Sequence, residues 1–232
     1  MYHGNRTGAV ASLRPCSEHA LREKIRCFLS ALPLCVLVVF LNACALGPVQ
    51  SSAPRTYFLN PEISWHNPRP STERTGAAVL LITQPRAQAG FDTGRMAYLL
   101  RPYEINYYAF SQWADAPARL LHRLLVENLD KSGVWSAVLQ TPSAIPAQYR
   151  LDCDNVVLEQ QFFSKPGRTR LALRAQLIET KTQRILASRY FEFFETAETD
   201  DAYGGVQAAN QAAAKLITEM ADWLEKVFNE VG

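Results

Sequence analysis

Thr169-Arg170-Leu171-Ala172-Leu173-Arg174-Ala175-Gln176-Leu177-Ile178 decides the fold. Leu171, Leu173, Ala175 and Leu177 fall on one face, and Arg170, Arg174 and Gln176 on the other. That period of two is the mark of a strand with one buried and one wet face. The flanking segments extend it. Tyr149 to Phe163 reads as a long strand, and Lys165-Pro166-Gly167-Arg168 as a tight turn in which Gly167 takes a positive φ. Glu179 to Gln183 turns the chain again, and Ile185 to Phe194 follows as a third strand. The three make an antiparallel meander.

Upstream, Ala77 to Ile82 reads as a short buried strand. Met96–Leu100 and Tyr103–Phe110 read as two strands joined at Arg101-Pro102, and Val134–Leu139 as another. Two segments have helical period instead. Leu120, Leu121, Leu124, Leu125 and Leu129 form an apolar face behind Asp115, the expected N-cap, and Pro117, with Lys131 and Gly133 at the far end. Val206, Ala209, Ala213, Leu216, Ile217, Met220, Leu224, Val227 and Phe228 form the face of a long C-terminal helix. Gly204-Gly205 reads as a flexible start to that helix. The fold class that follows is α+β: a mostly antiparallel sheet with two helices on one face, including the long C-terminal helix.

The folded domain is expected over residues 77–232. Residues 44–76 hold Pro48, Pro54, Pro61, Pro68 and Pro70 and read as a tether, interrupted only by the strand-like Thr56-Tyr57-Phe58-Leu59. Residues 1–43 read as a lipoprotein signal peptide. Arg22, Lys24 and Arg26 form a basic n-region and Phe28–Leu41 an apolar h-region. Leu41-Asn42-Ala43-Cys44 is the processing site, which makes Cys44 the lipid attachment residue. The apolar run is shorter than the ~20 residues of a spanning helix. Residues before about Arg22 lack periodicity and suit an over-extended translation start. The alternative for this region is an uncleaved anchor helix.

The 232-residue chain has 24 Lys and Arg against 22 Asp and Glu. Five of the basic residues (Arg6, Arg14, Arg22, Lys24, Arg26) and two of the acidic ones (Glu18, Glu23) precede Cys44. From Cys44 onward the chain therefore holds 19 basic and 20 acidic residues. A near-neutral chain is a poor nucleic-acid binder. Cys153 is the one cysteine after Cys44, so an exported domain would fold without an internal disulfide, and Cys153 reads as a buried structural thiol.

No catalytic constellation or cofactor motif stands out. His66 and His122 lack partners at metal-ligand spacing, and no Gly-rich loop runs from a strand into a helix. Asp152 and Asp154 share a strand face and read as solvated carboxylates rather than an acid/base pair. The unusual local feature is aromatic: Tyr98, Tyr103, Tyr107, Tyr108, Phe110 and Trp113. Tyr103, Tyr107, Tyr108 and Trp113 are the candidate partner contacts, because Tyr and Trp are enriched at interfaces. As a strand, the segment puts Tyr103 and Tyr107 on one face and Tyr108 and Phe110 on the other.

The run from Arg95-Met96-Ala97-Tyr98 through Arg101-Pro102-Tyr103-Glu104-Ile105-Asn106-Tyr107-Tyr108 to Trp113-Ala114-Asp115-Ala116-Pro117 resembles the ABC-type transport auxiliary lipoprotein family, the PqiC-like components of Mce-type lipid transport systems. Tyr57-Phe58-Leu59 and the order of later elements extend the resemblance over about residues 44–230. The resemblance implies a non-enzymatic, periplasm-facing lipoprotein beside an Mce-domain protein, an ABC permease and an ATPase, moving phospholipid or sterol-like lipid. It also implies self-association, since members form oligomeric rings. Ala45, in place of an Asp after the lipidated cysteine, favours the outer membrane. The alternative function is a scaffold lipoprotein for another envelope machine, with an envelope hydrolase as a third reading.

Overall fold

A computed structural model describes residues 53–65 and 78–231. The strands are β1 (Arg55–Tyr57), β2 (Val79–Ile82), β3 (Arg95–Leu99), β4 (Asn106–Trp113), β5 (Ala137–Gln140), β6 (Tyr149–Gln161), β7 (Arg168–Glu179) and β8 (Arg184–Thr196). The helices are α1 (Pro117–Lys131), between β4 and β5, and α2 (Ala202–Val231), after β8.

The β6–β7–β8 meander is antiparallel as the alternation predicts, with Cys153 opposite Ala175 and Leu173 opposite Phe191. The rest of the sheet corrects the expectation of a mostly antiparallel arrangement, because it is mixed. β2 runs parallel to β5 and β6, β3 parallel to β6, and β1 parallel to β4, while β3 and β4 form an antiparallel hairpin. β6 is the junction. One of its edges takes β7 along nearly its whole length. The other takes β2 at Tyr149–Leu151 and β3 at Glu159–Gln161. Between those two attachments the chain leaving β2 stays on β6. Arg86 N donates to Cys153 O (3.0 Å), Val156 N to Arg86 O (3.1 Å) and Gln88 N to Val156 O (3.0 Å).

A bulge lies at the same point of β6. Asp154 pairs with Arg174 but Val157 with Ala172, so β6 spends one residue more than β7. Asn155 absorbs it at φ 55°, a left-handed conformation that asparagine tolerates better than most residues. The bulge changes which residues face the helices. Before it these are Leu151 and Cys153, and after it Leu158, with all three in the core.

Both helices pack against that face. Leu121, Leu124, Leu125 and Leu129 of α1 join Ala209, Ala213, Leu216, Ile217, Met220 and Leu224 of α2 in one buried cluster with Leu171, Leu173, Leu177 and Phe191. Each of these leucines contributes roughly 1.5–3 kcal/mol of transfer free energy. Alanines on α2 let it lie close to the strands. Trp135 seals one end, its ring 5.7 Å from Tyr149 and 5.2 Å from Phe228. The opposite face holds a smaller cluster, Phe91, Ala97, Val157 and Ala172, under the 83–94 loop. Among the described strands β8, like β1 and β5, is paired along one edge only. The charges of Arg184, Arg189, Glu192 and Glu195 suit an edge that must not pair at random.

Several local expectations change. Residues 55–65, placed in the tether by their prolines, lie on the domain. β1 pairs with β4, Leu59 is fully buried, and Asn60 N donates to Asn210 Oδ1 (2.6 Å). Tyr103 is not in a strand: β4 begins at Asn106, and Tyr103 turns the chain at φ 69°. The α1 N-cap is Ala116, and Asp115 instead accepts from Ala116 N (2.8 Å) and from Arg119. Gly167 has no positive φ. It is small because a Cβ there would come within 2.8 Å of the Phe162 ring.

Gly204 and Gly205 are a tightly packed first turn rather than a flexible start. A Cβ on Gly204 would meet Thr199 O at 2.2 Å, and one on Gly205 would meet Gln160 Oε1 at 2.4 Å. Asp201 caps this turn by accepting from Gly204 N (2.8 Å) and from Thr199 Oγ1 (2.6 Å). The Gly204 hydrogen bond is the main reason its carboxyl sits below the ordinary range. A depressed folded pKa stabilises above the unfolded value and is lost as pH falls through the folded one. Asp201→Ala should therefore cost about 1 kcal/mol at neutral pH. The gap to the parent should narrow below about pH 4. Denaturant melts of both proteins across that range check it.

Candidate functional site

The four candidate contact aromatics do not form one patch. Trp113 is 4 % exposed and its side chain belongs to the core, while its backbone N–H donates to Gly94 O (2.7 Å). Tyr108 faces the helices and is half-buried. Its hydroxyl donates to Gln160 Oε1 (2.9 Å) and its ring lies 4.8 Å from Tyr98. Burial, and secondarily the Asp201 carboxylate, push its phenol well above the usual value. Tyr107 points to the other face, where its hydroxyl donates to Gly90 O (2.8 Å) and the Arg95 guanidinium lies 3.8 Å over the ring. Tyr103 alone is fully exposed. Cys44 lies outside the described residues.

What sequence reading missed surrounds Tyr103. Leu100 and Ile105 flank it, and Phe163 opens the β6–β7 connection. All are exposed, Leu100 by 58 % and Phe163 by 44 %. The two chain reversals are neighbours, since Phe162 N donates to Leu99 O (2.9 Å). The available signal was apolar residues beside turn-forming Pro102 and Pro166, where polar ones are usual.

The second aromatic cluster splits as the alternation predicts. Phe191 is buried and Phe193 packs on the same core, while Tyr190 and Phe194 stand on the open face. There they meet arginines: Arg168 lies 4.2 Å over the Phe194 ring, and Arg170 Nη2 donates to Tyr190 Oη (3.0 Å). Arg170 also bridges Glu192 (2.7 Å) and the buried Glu159 (3.5 Å).

Asp152 and Asp154 are part of the same lattice. Arg174 grips Asp154 with both Nε (2.9 Å) and Nη2 (2.6 Å), and Arg150 pairs with Asp152 (3.1 Å). Asp154 is only 9 % exposed, which corrects its reading as a solvated carboxylate. Each acid is held by its own arginine. A shallow groove of ≈ 450 Å³ runs past Thr83, Arg86, Arg150 and Asp152. A pocket reaching the core between Met96, Trp113, Leu158 and Thr169 measures ≈ 10 Å³, about the room one water needs and far too little for an acyl chain.

Among the described residues no group of three or more His, Cys, Asp and Glu could hold a metal ion. His122 Nε2 lies 3.2 Å from Ile82 O, a hydrogen bond to the backbone of β2. Among the same residues no helix is long and apolar enough to cross a membrane, which leaves strand-built crossing untouched.

The chain belongs to the ABC-type transport auxiliary lipoprotein component family, whose model matches residues 57–221. It is 28 % identical over 153 residues to the uncharacterized protein bll6063 of Bradyrhizobium diazoefficiens, a match covering 65 % of this chain and 40 % of that relative. This chain thus spans well under two thirds of that relative's length. Among solved structures, protein XCC0632 of Xanthomonas campestris superposes with a TM-score of 0.66 at 22 % identity, over 75 % of this chain and 97 % of the other. A second, an uncharacterized protein, gives 0.54 at 13 % identity, over 74 % and 99 %. At these identities the likeness is one of fold.

Cys153 is 2 % exposed, and burial pushes its thiol up to about 12. It should stay unmodified by iodoacetamide at pH 8 in the folded protein and react fully after unfolding. Mass spectrometry before and after denaturant reads both, and rapid labelling of the native protein would contradict the burial.

Proposed function

We propose that this chain is a non-enzymatic, lipid-anchored auxiliary subunit of an Mce-type ABC transporter that moves phospholipid or sterol-like lipid across the bacterial envelope. Membership of the auxiliary lipoprotein family carries the reading. The site chemistry agrees with it. The open face is an ionic lattice in which the acids Asp152, Asp154, Glu159 and Glu192 each meet an arginine. Such a face can orient a partner but offers no activated nucleophile or free acid/base pair.

In this reading Cys44 carries the diacylglyceryl group and tethers the domain to a membrane facing the periplasm, with Ala45 directing it to the outer membrane. The partners are an Mce-domain protein, an ABC permease and its ATPase, and the subunit itself associates into an oligomer. No cofactor takes part.

Pull-down of the tagged full chain in mild detergent should recover the Mce-domain and permease subunits. Recovery of neither would contradict the assignment. Palmitate labelling of the same cells should mark the parent and spare Cys44→Ala, which should accumulate as precursor. Equal labelling of both would refute lipidation at Cys44.

A further inference from the structure

The domain is long in the direction of its strands. β6 alone, at 13 residues, spans roughly 40 Å. One end of that axis carries the β3–β4 reversal with Leu100, Tyr103 and Ile105, and beside it the β6–β7 connection with Phe163. Tyr103 is held outward by its positive φ and by the Arg101–Glu104 ion pair across the same turn. Single exposed apolar residues are ordinary, but several converging on two adjacent loops are not. The opposite end has two exposed large apolar residues on separate segments, Ile145 on the β5–β6 connection and Ile185 beside the β7–β8 turn, the latter among Lys181, Thr182, Gln183 and Arg184.

The direction of β1 says what this end faces. Arg55 lies opposite Ser111 and β1 runs parallel to β4, away from the reversal at residues 100–105. Ala53 and Pro54, the described residues before Arg55, therefore lead back toward it. Ala53 follows Cys44 by nine positions, and nine residues reach at most about 30 Å. A lipid on Cys44 can lie level with the apolar end, but it cannot pass the far end of β6.

We propose that the β3–β4 and β6–β7 ends form a membrane seat: Leu100, Tyr103, Ile105 and Phe163 enter the headgroup region of the bilayer that holds the anchor. This rests on lipidation at Cys44. The occupant is a lipid surface, selected by apolar contact and not by charge. Arg101, Lys165 and Arg168 at this end are countered by Glu104, Glu198, Asp200 and Asp201, and Asp200 accepts from Gly167 N (2.8 Å). One acyl anchor gives reversible binding and a second apolar contact makes it firm. The seat would thus fix the domain upright, with the Ile185 end farthest from the membrane.

The test uses the full lipidated chain in phosphatidylcholine vesicles carrying doxyl-labelled lipid. An environment-sensitive fluorophore is attached in turn at Leu100→Cys, Phe163→Cys and Ile185→Cys; Cys153 is buried and takes no label. The first two labels should shift to the blue and be quenched several-fold more than the third, with no loss in high salt. Adding Tyr103→Ser and Phe163→Ser to the Leu100→Cys protein should lower that quenching, while circular dichroism confirms an unchanged fold. If the chain floats with vesicles but all three labels report water, the seat is refuted and the anchor stands. A chain that does not float refutes both.

Discussion

β6 is the strand on which the other pairings depend. It is hydrogen-bonded on both edges, to β7 on one and to β2 and β3 in turn on the other. The bulge at Asn155 makes the double attachment compatible with one apolar face. If the strand alternated regularly through Asn155 without the bulge, Leu158 would swap faces with Val157, and a charged residue, Glu159, would point at the helices. With it, Leu151, Cys153 and Leu158 line a single surface, and α1 and α2 can close over it.

The parts legible in the sequence were those whose signal is local. Leu171 to Leu177 alternate without interruption, and β7 is where they place it. The α2 face repeats over about six turns, and that helix is where the period puts it. The parallel pairings were not legible, because β2 and β3 are four and five residues long and reach partners far along the chain. Nothing in Val79–Ile82 names Tyr149 as a neighbour. The bulge was invisible for a related reason. Tyr149–Gln161 mixes two phases of alternation, and a reader who assumes one phase puts half the strand on the wrong face.

Residues 55–65 misled through composition. Their prolines suit an extended tether, yet extended chain can also lie along a domain. Leu59 fills a core site and β1 continues the sheet. The aromatic segment misled in the opposite way. Its density pointed to a contact surface, while the structure spends Trp113 on the core and Tyr107 and Tyr108 on hydrogen bonds to opposite faces. Tyr103, on the turn, and Phe110, on β4, keep their rings in solvent. The partly exposed pairs Arg150–Asp152 and Arg170–Glu192 add orientation more than stability, at most about 1 kcal/mol each, whereas the buried carboxylates of Asp154 and Glu159 depend on Arg174 and Arg170 to offset their desolvation.

The dependence of the fold on β6 is most directly tested by native-state hydrogen exchange of the domain. If β6 holds the sheet together, amides from Leu151 to Leu158 and their β7 partners exchange only through global unfolding. Those of β1 and β5, each attached along one edge, should exchange through smaller local openings. Protection in β6 lower than in β1 or β5 would contradict the account.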